Sequence, residues 1–510
     1  MSDAGTPLPP NPPEKDFSLL SLLRNYLSLI GLALAAVSLA NIIFLFLVDV
    51  VSSQSSPYVG IFAYMVMPVF LVAGLALVTA GMWIERQRHR RKLSSLSRFP
   101  ILDLNSATQR GTIAFFFSTV VLFVVLTAVG SYRAYEFTDS IQFCGQLCHT
   151  VMHPEFTAHQ ASPHARVTCV DCHVGAGAGW YVRSKLSGAR QVFKTVLNTY
   201  PRPIETPVAN LRPAPQTCEQ CHWPRKFWGA QLKVINHFAS DEQNTPWQLQ
   251  LLIKTGGGDA NAGQASGIHW HMNIANTVTY ASDPKRQNIP YVRIQDAKGA
   301  STEYFASGAK PEEIAAMSRR RMDCVDCHNR PTHIYLPPDR SVDDSLAANR
   351  IDAGLPYVKQ QSVQVLTAAY QTTPEAMQAI ATAIPAFYRE KYPQVASAKQ
   401  AQIQAAVADL QRIFRTTIFP EMKVDWRTHP NNVGHLYFQG CFRCHDGNHV
   451  SKDGKTISKD CNSCHTVLSQ QEGAQSMVAS TTGVPFKHPV DLGDLTAVNC
   501  SDCHSGGVGP

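Results

Sequence analysis

Three stretches of the chain lack charge for long enough to cross a bilayer, and all three fall within the first 132 positions. Leu27–Val48 runs 22 residues without a charge, against the ~20 that a helix needs to span the hydrocarbon. Val50–Ile84 follows, opening at a turn around Ser55–Pro57, and then Gly111–Tyr132. Because further spans follow the first, it reads as a retained anchor rather than a cleaved leader. Ahead of it, Pro7, Pro9, Pro10, Pro12 and Pro13 mark residues 1–21 as a disordered tail with no core-forming pattern. Later in the chain the pattern changes. Gln248–Thr255, Thr277–Tyr280 and Tyr291–Gln295 have strand-like composition, and Asp296–Gly299 reads as a hairpin turn, which predicts a small β insertion over about 229–320. Pro374–Tyr392 and Ala396–Arg415 place apolar residues three and four apart, as helices do, with Ile403, Val407, Leu410 and Ile413 forming a core stripe. The expected protein is mainly α with irregular segments. It comprises a three-helix membrane anchor (22–135), a module carrying the β insertion (136–338), a helical segment (339–422) and a C-terminal module (423–510).

Charge fixes the topology. The formal net charge of +7 is modest for 510 residues, and its densest part is Glu85-Arg86-Gln87-Arg88-His89-Arg90-Arg91-Lys92, with Arg98 and Arg110 further on. A basic loop (85–110) between two spans faces the cytoplasm. The N-terminus then lies in the cytoplasm and everything after Tyr132 lies outside, in the periplasm of a bacterial inner membrane. No interleaving of basic and aromatic residues suggests a nucleic-acid partner. The spans contain no histidine and no acid–base ladder of a proton path. They are an anchor.

The chemistry sits in the cysteines. All fourteen fall into seven copies of one rhythm, two thiols followed directly by a histidine. Six are C-x-x-C-H: Cys169–Cys172–His173, Cys218–Cys221–His222, Cys324–Cys327–His328, Cys441–Cys444–His445, Cys461–Cys464–His465 and Cys500–Cys503–His504. The first, Cys144–Cys148–His149, is one residue longer. This is the c-type haem attachment signal: two thiols form thioethers with one edge of the macrocycle, and the adjacent imidazole ligates iron from below. Zinc sites would pair such motifs, and seven is odd. The sequence therefore predicts seven c-type haems, attached outside the membrane. With so little apolar chain per haem, the haems themselves are expected to supply the packing outside the membrane, leaving irregular haem-packed segments whose folding depends on haem attachment.

Cys144–His149 with Met152, His153 and Pro154, then Ser162-Pro163-His164, then Cys169-Val-Asp-Cys172-His173 resemble the NapC/NirT family of membrane-anchored cytochromes. The likeness strengthens at Cys324-Val-Asp-Cys327-His328, followed by His333, Leu336 and Pro337, and covers about Phe137–Gly229 and Met322–Pro338. The layout of three spans and seven motifs is similar to that of larger inner-membrane cytochromes of metal-reducing bacteria. The resemblance implies quinol oxidation, with electrons leaving for a periplasmic cytochrome or other redox protein. It departs from the family in having three spans and a stretched first motif, which leaves Met152, His149 and His153 as alternatives for the axial position of the first haem.

The segment Trp180–Lys194 mixes aromatics and cations. It reads either as an amphipathic helix lying on anionic headgroups or, by the resemblance, as a border of the quinol pocket with Lys185 or Gln191 bonding a quinol oxygen. Glu136, Asp139 and Glu155 are carboxylates able to take the quinol protons. For the second axial position the histidines beside the motifs are expected: His164, His237, His333, His435, His449 and His488, with His159, His269, His271 and His429 as second choices. His269 and His271 form an H-x-H that would place both rings on one face of a strand, able to bind a metal or to ligate haem. The leading expectation is a quinol-oxidising oxidoreductase that draws on menaquinol or a related quinol in anaerobic or extracellular respiration. A terminal reductase of a small oxyanion such as nitrite is the alternative. It is disfavoured by the absence of a C-x-x-C-K motif and by twelve histidines outside the motifs.

Overall fold

The computed structural model describes residues 22–51 except 24, 66–91, 104–175 except 148, 178–208, 211–257, 266–272, 276–472 except 297, and 478–507 except 494, 496 and 497. The proline-rich tail and the Ser55–Pro57 turn lie outside these residues. The chain divides into two compact units, one of residues 1–139 and 176–183, the other of 140–175 and 184–510.

The first unit contains α1 (Tyr26–Val51), α2 (Met67–Arg90) and α3 (Ala107–Asp139). Tyr26–Leu45, Met67–Arg88 and Ala107–Thr127 are each long and apolar enough to cross a membrane. Ile30, Val69, Phe70 and Phe115 point outward, as lipid-facing side chains do. Between lipid-borne helices there is no hydrophobic drive, so close backbone approach must supply the attraction. A Cβ on Gly31 would lie 2.6 Å from the carbonyl oxygen of Gly74, and one on Gly74 would lie 2.7 Å from the amide nitrogen of Ala35. Polar groups close the same seam. Asn25 Nδ2 donates to Ser28 Oγ at 2.9 Å, and Ser28 Oγ donates to the Val78 carbonyl at 3.3 Å. α2 continues past Ile84 through the basic residues to Arg90, and α3 continues through Glu136 to Asp139. Arg, Gln and Glu are good helix formers, and no glycine or proline interrupts either extension.

In the second unit, α4 (His149–Gln160), α5 (Ala178–Val196), α6 (Pro338–Ala347), α7 (Val358–Thr367), α8 (Thr373–Lys391) and α9 (Gln400–Thr417) accompany nine strands; the first turn of α5 belongs to the first unit. The strands are β1 (Gln231–Phe238), β2 (Pro246–Ile253), β3 (Thr277–Ser282), β4 (Tyr291–Gln295), β5 (Ser301–Ala306), β6 (Ser318–Arg321), β7 (His449–Ser451), β8 (His465–Glu472) and β9 (Val478–Ala479). They form antiparallel sheets of order β1-β2-β8-β9 and β6-β3-β4-β5-β7. The turn at Asp296 forms as the sequence suggests, with Asp296 Oδ1 accepting from the amides of Lys298 and Ala300 at 2.9 Å. Both sheets, however, are completed from far down the chain. β8 pairs with β2, setting Leu251 opposite Val467 and Ile253 opposite His465, and β7 pairs with β5, setting Tyr304 opposite Ser451. Strand pairing between residues more than 140 apart leaves no local trace in a sequence.

Residues 338–426 build most of an apolar core, which Val151 and Ala158 of α4 and Tyr335 also join. Ile403, Val407, Leu410 and Ile413 of α9 are buried against Ile380, Ile384 and Tyr388 of α8, Val363 and Leu366 of α7, and Val342 and Leu346 of α6. Thr372 caps α8 by accepting from the Glu375 amide, and Pro374 sits in its first turn. This corrects the expectation that prosthetic groups must supply the packing throughout. The helical segment packs as an ordinary hydrophobic domain does.

Replacing Gly74 by Ile is expected to force α1 and α2 apart and lower thermal stability of the detergent-solubilised protein. Val69→Ile, on an exposed face of α2, is expected to leave the melting temperature within error in the same assay.

Candidate functional site

Each two-thiol motif is itself a helical turn. Cys169–His173, Cys324–Cys327 and Cys500–Cys503 are single α-turns, and all three read C-x-D-C-H. Their aspartates, Asp171, Asp326 and Asp502, close capping boxes with Thr168, Asp323 and Asn499 just ahead of the first cysteine. The turn brings residues three apart to one side, so the two thiols converge and the histidine follows at the turn's end. Cys218–Gln220, Gly440–Arg443 and Cys461–Ser463 make the same approach as 3-10 turns, the last with Asp460 accepting from the Asn462 amide at 3.0 Å. The stretched first motif coincides with a wider π turn, Phe143–Leu147. Cys148 and the ring of His149 lie outside the described residues.

Asp326 is held most firmly. It is 2% exposed and accepts from Tyr280 Oη at 2.7 Å, Arg320 Nε at 2.8 Å and the Asp323 amide at 2.7 Å, with Arg286 Nη1 at 3.4 Å. Through these bonds the fourth motif is fastened to β3 and β6.

The histidines show a second regularity. A metal–imidazole bond is about 2 Å and the ring centre lies about 1 Å beyond its nitrogen, so two imidazoles on one metal stand with centres about 6 Å apart. Every motif histidine whose ring is described faces one non-motif histidine at that separation. His222 faces His164 at 6.0 Å and His173 faces His333 at 6.3 Å. His328 faces His269 at 6.3 Å and His445 faces His271 at 5.8 Å. His465 faces His435 at 6.2 Å and His504 faces His488 at 6.1 Å. These gaps fit an iron with imidazole on both faces. Several rings bond a backbone carbonyl through Nδ1, which leaves Nε2 for a metal: His333 to Glu155 O at 3.1 Å, His445 to Ser458 O at 2.8 Å, His269 to Thr255 O at 2.9 Å and His271 to Ile268 O at 2.7 Å. Burial also holds the His333 ring down to about 3, so it stays neutral and able to bind metal at neutral pH.

The motifs neighbour one another in chain order. Cys144 hydrogen-bonds the Cys169 thiol and holds it down at about 7. Beyond burial, which raises each of them, the Cys172 thiol is pushed up by Cys218 and Cys221, Cys324 by Cys218, Cys327 by Cys441, Cys464 by Cys441 and Cys500 by Cys461. First to seventh, each motif lies beside the next.

Two expected second ligands, His237 and His449, face no motif histidine whose ring is described. His237 meets Asp343 Oδ2 through Nδ1 at 3.1 Å, which leaves its Nε2 for a metal as in the pairs above, and packs on Trp247; its strand β1 was not foreseen. His449 uses both nitrogens, Nδ1 on Asp446 Oδ1 at 2.9 Å and Nε2 on the Ile289 carbonyl at 2.7 Å, so it has no lone pair left for a metal. In their place stand His269 and His271, which lie in a 3-10 turn, Ile268–Met272, and not on a strand. His159 bonds the Val167 carbonyl at 3.0 Å, His429 meets Thr206 Oγ1 at 3.1 Å, His153 packs edge-on to Phe419 and Met152 packs against the apolar core. None of these four faces a described motif histidine.

Glu155 lies against Tyr335, whose hydroxyl donates to Oε1 at 3.2 Å, and burial raises its carboxyl above the usual range, making it a stronger base. Glu136 is exposed and pairs with Arg133 at 3.1 Å, while Asp139 is half-buried at the end of α3. Gln191 is exposed on α5 and donates to Ser187 Oγ at 3.2 Å. The Lys185 side chain lies outside the described residues. Along α5, Leu186, Phe193 and Val196 are each more than 60% exposed, an uncovered apolar face on a helix that also carries Arg183, Arg190 and Lys194.

Residues 106–207 match the NapC/NirT cytochrome c family, N-terminal region. The chain is 46% identical over 501 residues to the cytochrome c-type protein ImcH of Geobacter sulfurreducens, covering 96% of this chain and 98% of that one. No solved structure matches.

Replacing Asp326 with Ala leaves Arg320 and Tyr280 facing a buried void. The expected loss is about 3 kcal/mol, the low end for breaking a buried charge pair because Arg320 is partly exposed. Thermal unfolding of the purified full-length protein measures it, and Asp502→Ala, whose aspartate is exposed, is expected to cost under about 1 kcal/mol.

Proposed function

The chain belongs to the family of the c-type cytochrome ImcH and carries the NapC/NirT N-terminal region, and from that premise we propose that it is a membrane-anchored quinol dehydrogenase of the bacterial inner membrane. In this reading the N-terminus is cytoplasmic, the seven motifs hold seven c-type haems in the periplasm, and menaquinol or a related quinol is the reductant. A periplasmic cytochrome or other redox protein takes the electrons. The observation that carries the reading is the set of iron-sized gaps closed on both sides by imidazole. A small oxyanion needs an open position on iron, and none of the six described gaps offers one. A conduit needs none.

When bound, each haem supplies a one-electron couple, and the rest is work for this chain's residues. His164, His333, His435 and His488 would supply the second ligands of the irons held by His222, His173, His465 and His504. The carbonyl behind His333 favours the tautomer that leaves its Nε2 for a metal. The motif turns hold thiols and histidine in register before attachment, and the side-by-side order of the motifs gives a single file from first to seventh. At the reducing end, quinol releases two protons with its two electrons. Glu136 and Asp139 are proposed to receive the protons, with Lys185 and Gln191 bonding the quinol oxygens. The exposed apolar residues of α5, flanked by arginine and lysine, suit a helix lying in the headgroup layer.

Two measurements test this. Titration of the membrane-bound protein with a menaquinol analogue is expected to reduce its haems, while nitrite is expected not to reoxidise them at enzymatic rates; rapid nitrite turnover would favour the reductase instead. His333→Ala is expected to convert one low-spin iron to high-spin with all covalent haem retained by mass. An unchanged spin state would remove His333 from the ligand set.

A further inference from the structure

The five-residue turn Ile268–Met272 sits where the four family-like motifs end and the three C-terminal ones begin. Its two histidines are two positions apart, and each faces a different motif histidine: His269 faces His328 of the fourth motif, and His271 faces His445 of the fifth. The divergence follows from the turn type. Residues two apart on a strand share a face, whereas on a 3-10 turn, with three residues per turn, they point about 120° apart. One H-x-H therefore reaches two centres and cannot close on one.

The turn is built to hold still. The Ile268 amide donates to the Lys254 carbonyl at 2.8 Å, and the Thr255 carbonyl accepts both the His269 amide at 3.0 Å and His269 Nδ1 at 2.9 Å. Phe227 packs on the His269 ring at 4.6 Å. Trp270, between the histidines, packs into the cluster of Val278, Tyr280, Ile289 and Val292, which Cys444 of the fifth motif also joins. Thiol placement agrees independently, since Cys327 of the fourth motif lies beside Cys441 and Cys444 of the fifth. In the other described pairs each facing imidazole comes from its own segment, and among the described residues only this turn faces two motifs.

The geometry points to the His269-Trp270-His271 turn as a yoke that ligates the fourth and fifth haem irons at once and fixes the joint between the two groups of motifs. This rests on the reading of the motifs as haem sites. The two sites it would create are opposite in kind: the His269 and His328 rings are 5° from coplanar orientation, whereas the His271 and His445 rings stand at 83°. Near-parallel imidazoles give a low-spin ferric iron a rhombic electron paramagnetic resonance spectrum, and near-perpendicular ones give a signal with a single large g value.

The experiment is EPR and redox potentiometry on the oxidised full-length protein, on His269→Met and on His271→Met, with haem counted by mass in each. His269→Met is expected to remove one iron's share of the rhombic signal, and His271→Met one iron's share of the large-g signal. Each is expected to raise the potential of one haem, and the two haems must differ. If both variants alter the same centre, or neither alters any while seven haems are present and quinol still reduces them, the yoke is wrong and the conduit stands. Fewer than seven haems in the unsubstituted protein would instead overturn the reading beneath it. Should a Met variant lose haem, His269→Gln and His271→Gln, read for high-spin iron at one centre each, decide the matter in the same way.

Discussion

The second unit is organised by gaps of about 6 Å between facing imidazoles. An iron bound on both faces requires that spacing and little else, so each gap dictates where two distant pieces of chain must be. His164 and His222 join the approach to the second motif with the third, His173 and His333 join the second with the stretch after the fourth, and His435 and His465 join the approach to the fifth with the sixth. On the proposed reading, the segments between could be irregular because a coordination set, rather than a run of hydrogen bonds, would fix their ends. A metal held in the folded state only is itself folding energy.

That economy is not universal along the chain. Residues 338–426 fold on apolar burial, with Leu410, Phe414 and Tyr388 wholly enclosed. They are tied to the β1 edge through Asp343, which accepts from Lys359, from the Phe238 amide and from His237. A buried carboxylate with three donors is a specific joint. His449 is held differently, with both of its nitrogens taken, one by a carboxylate and one by a carbonyl.

The membrane unit follows different physics. Lipid removes the hydrophobic advantage of helix contact, so Gly31, Gly74 and Ala35 let two backbones meet directly. The seam carries Asn25 and Ser28 as polar fastenings. Its chemistry is spare beside the fourteen thiols of the second unit, in keeping with a part that anchors.

From the sequence alone came the spans, the haem-attachment motifs, the α9 stripe and the turn at Asp296. Each is written in residues fewer than about twenty apart, where spacing maps directly onto a helix or a turn. The capping aspartates of the C-x-D-C-H motifs were equally legible, although their function as local stiffeners appears only once Thr168, Asp323 and Asn499 are seen closing on them. Tertiary structure decided which imidazole faces which, that β7 and β8 join sheets whose first strands lie far earlier in the chain, at Thr277 and Gln231, and that His269 and His271 diverge from a 3-10 turn where a strand would have aligned them. Those outcomes depend on contacts between residues far apart in the chain, whose register no local periodicity records.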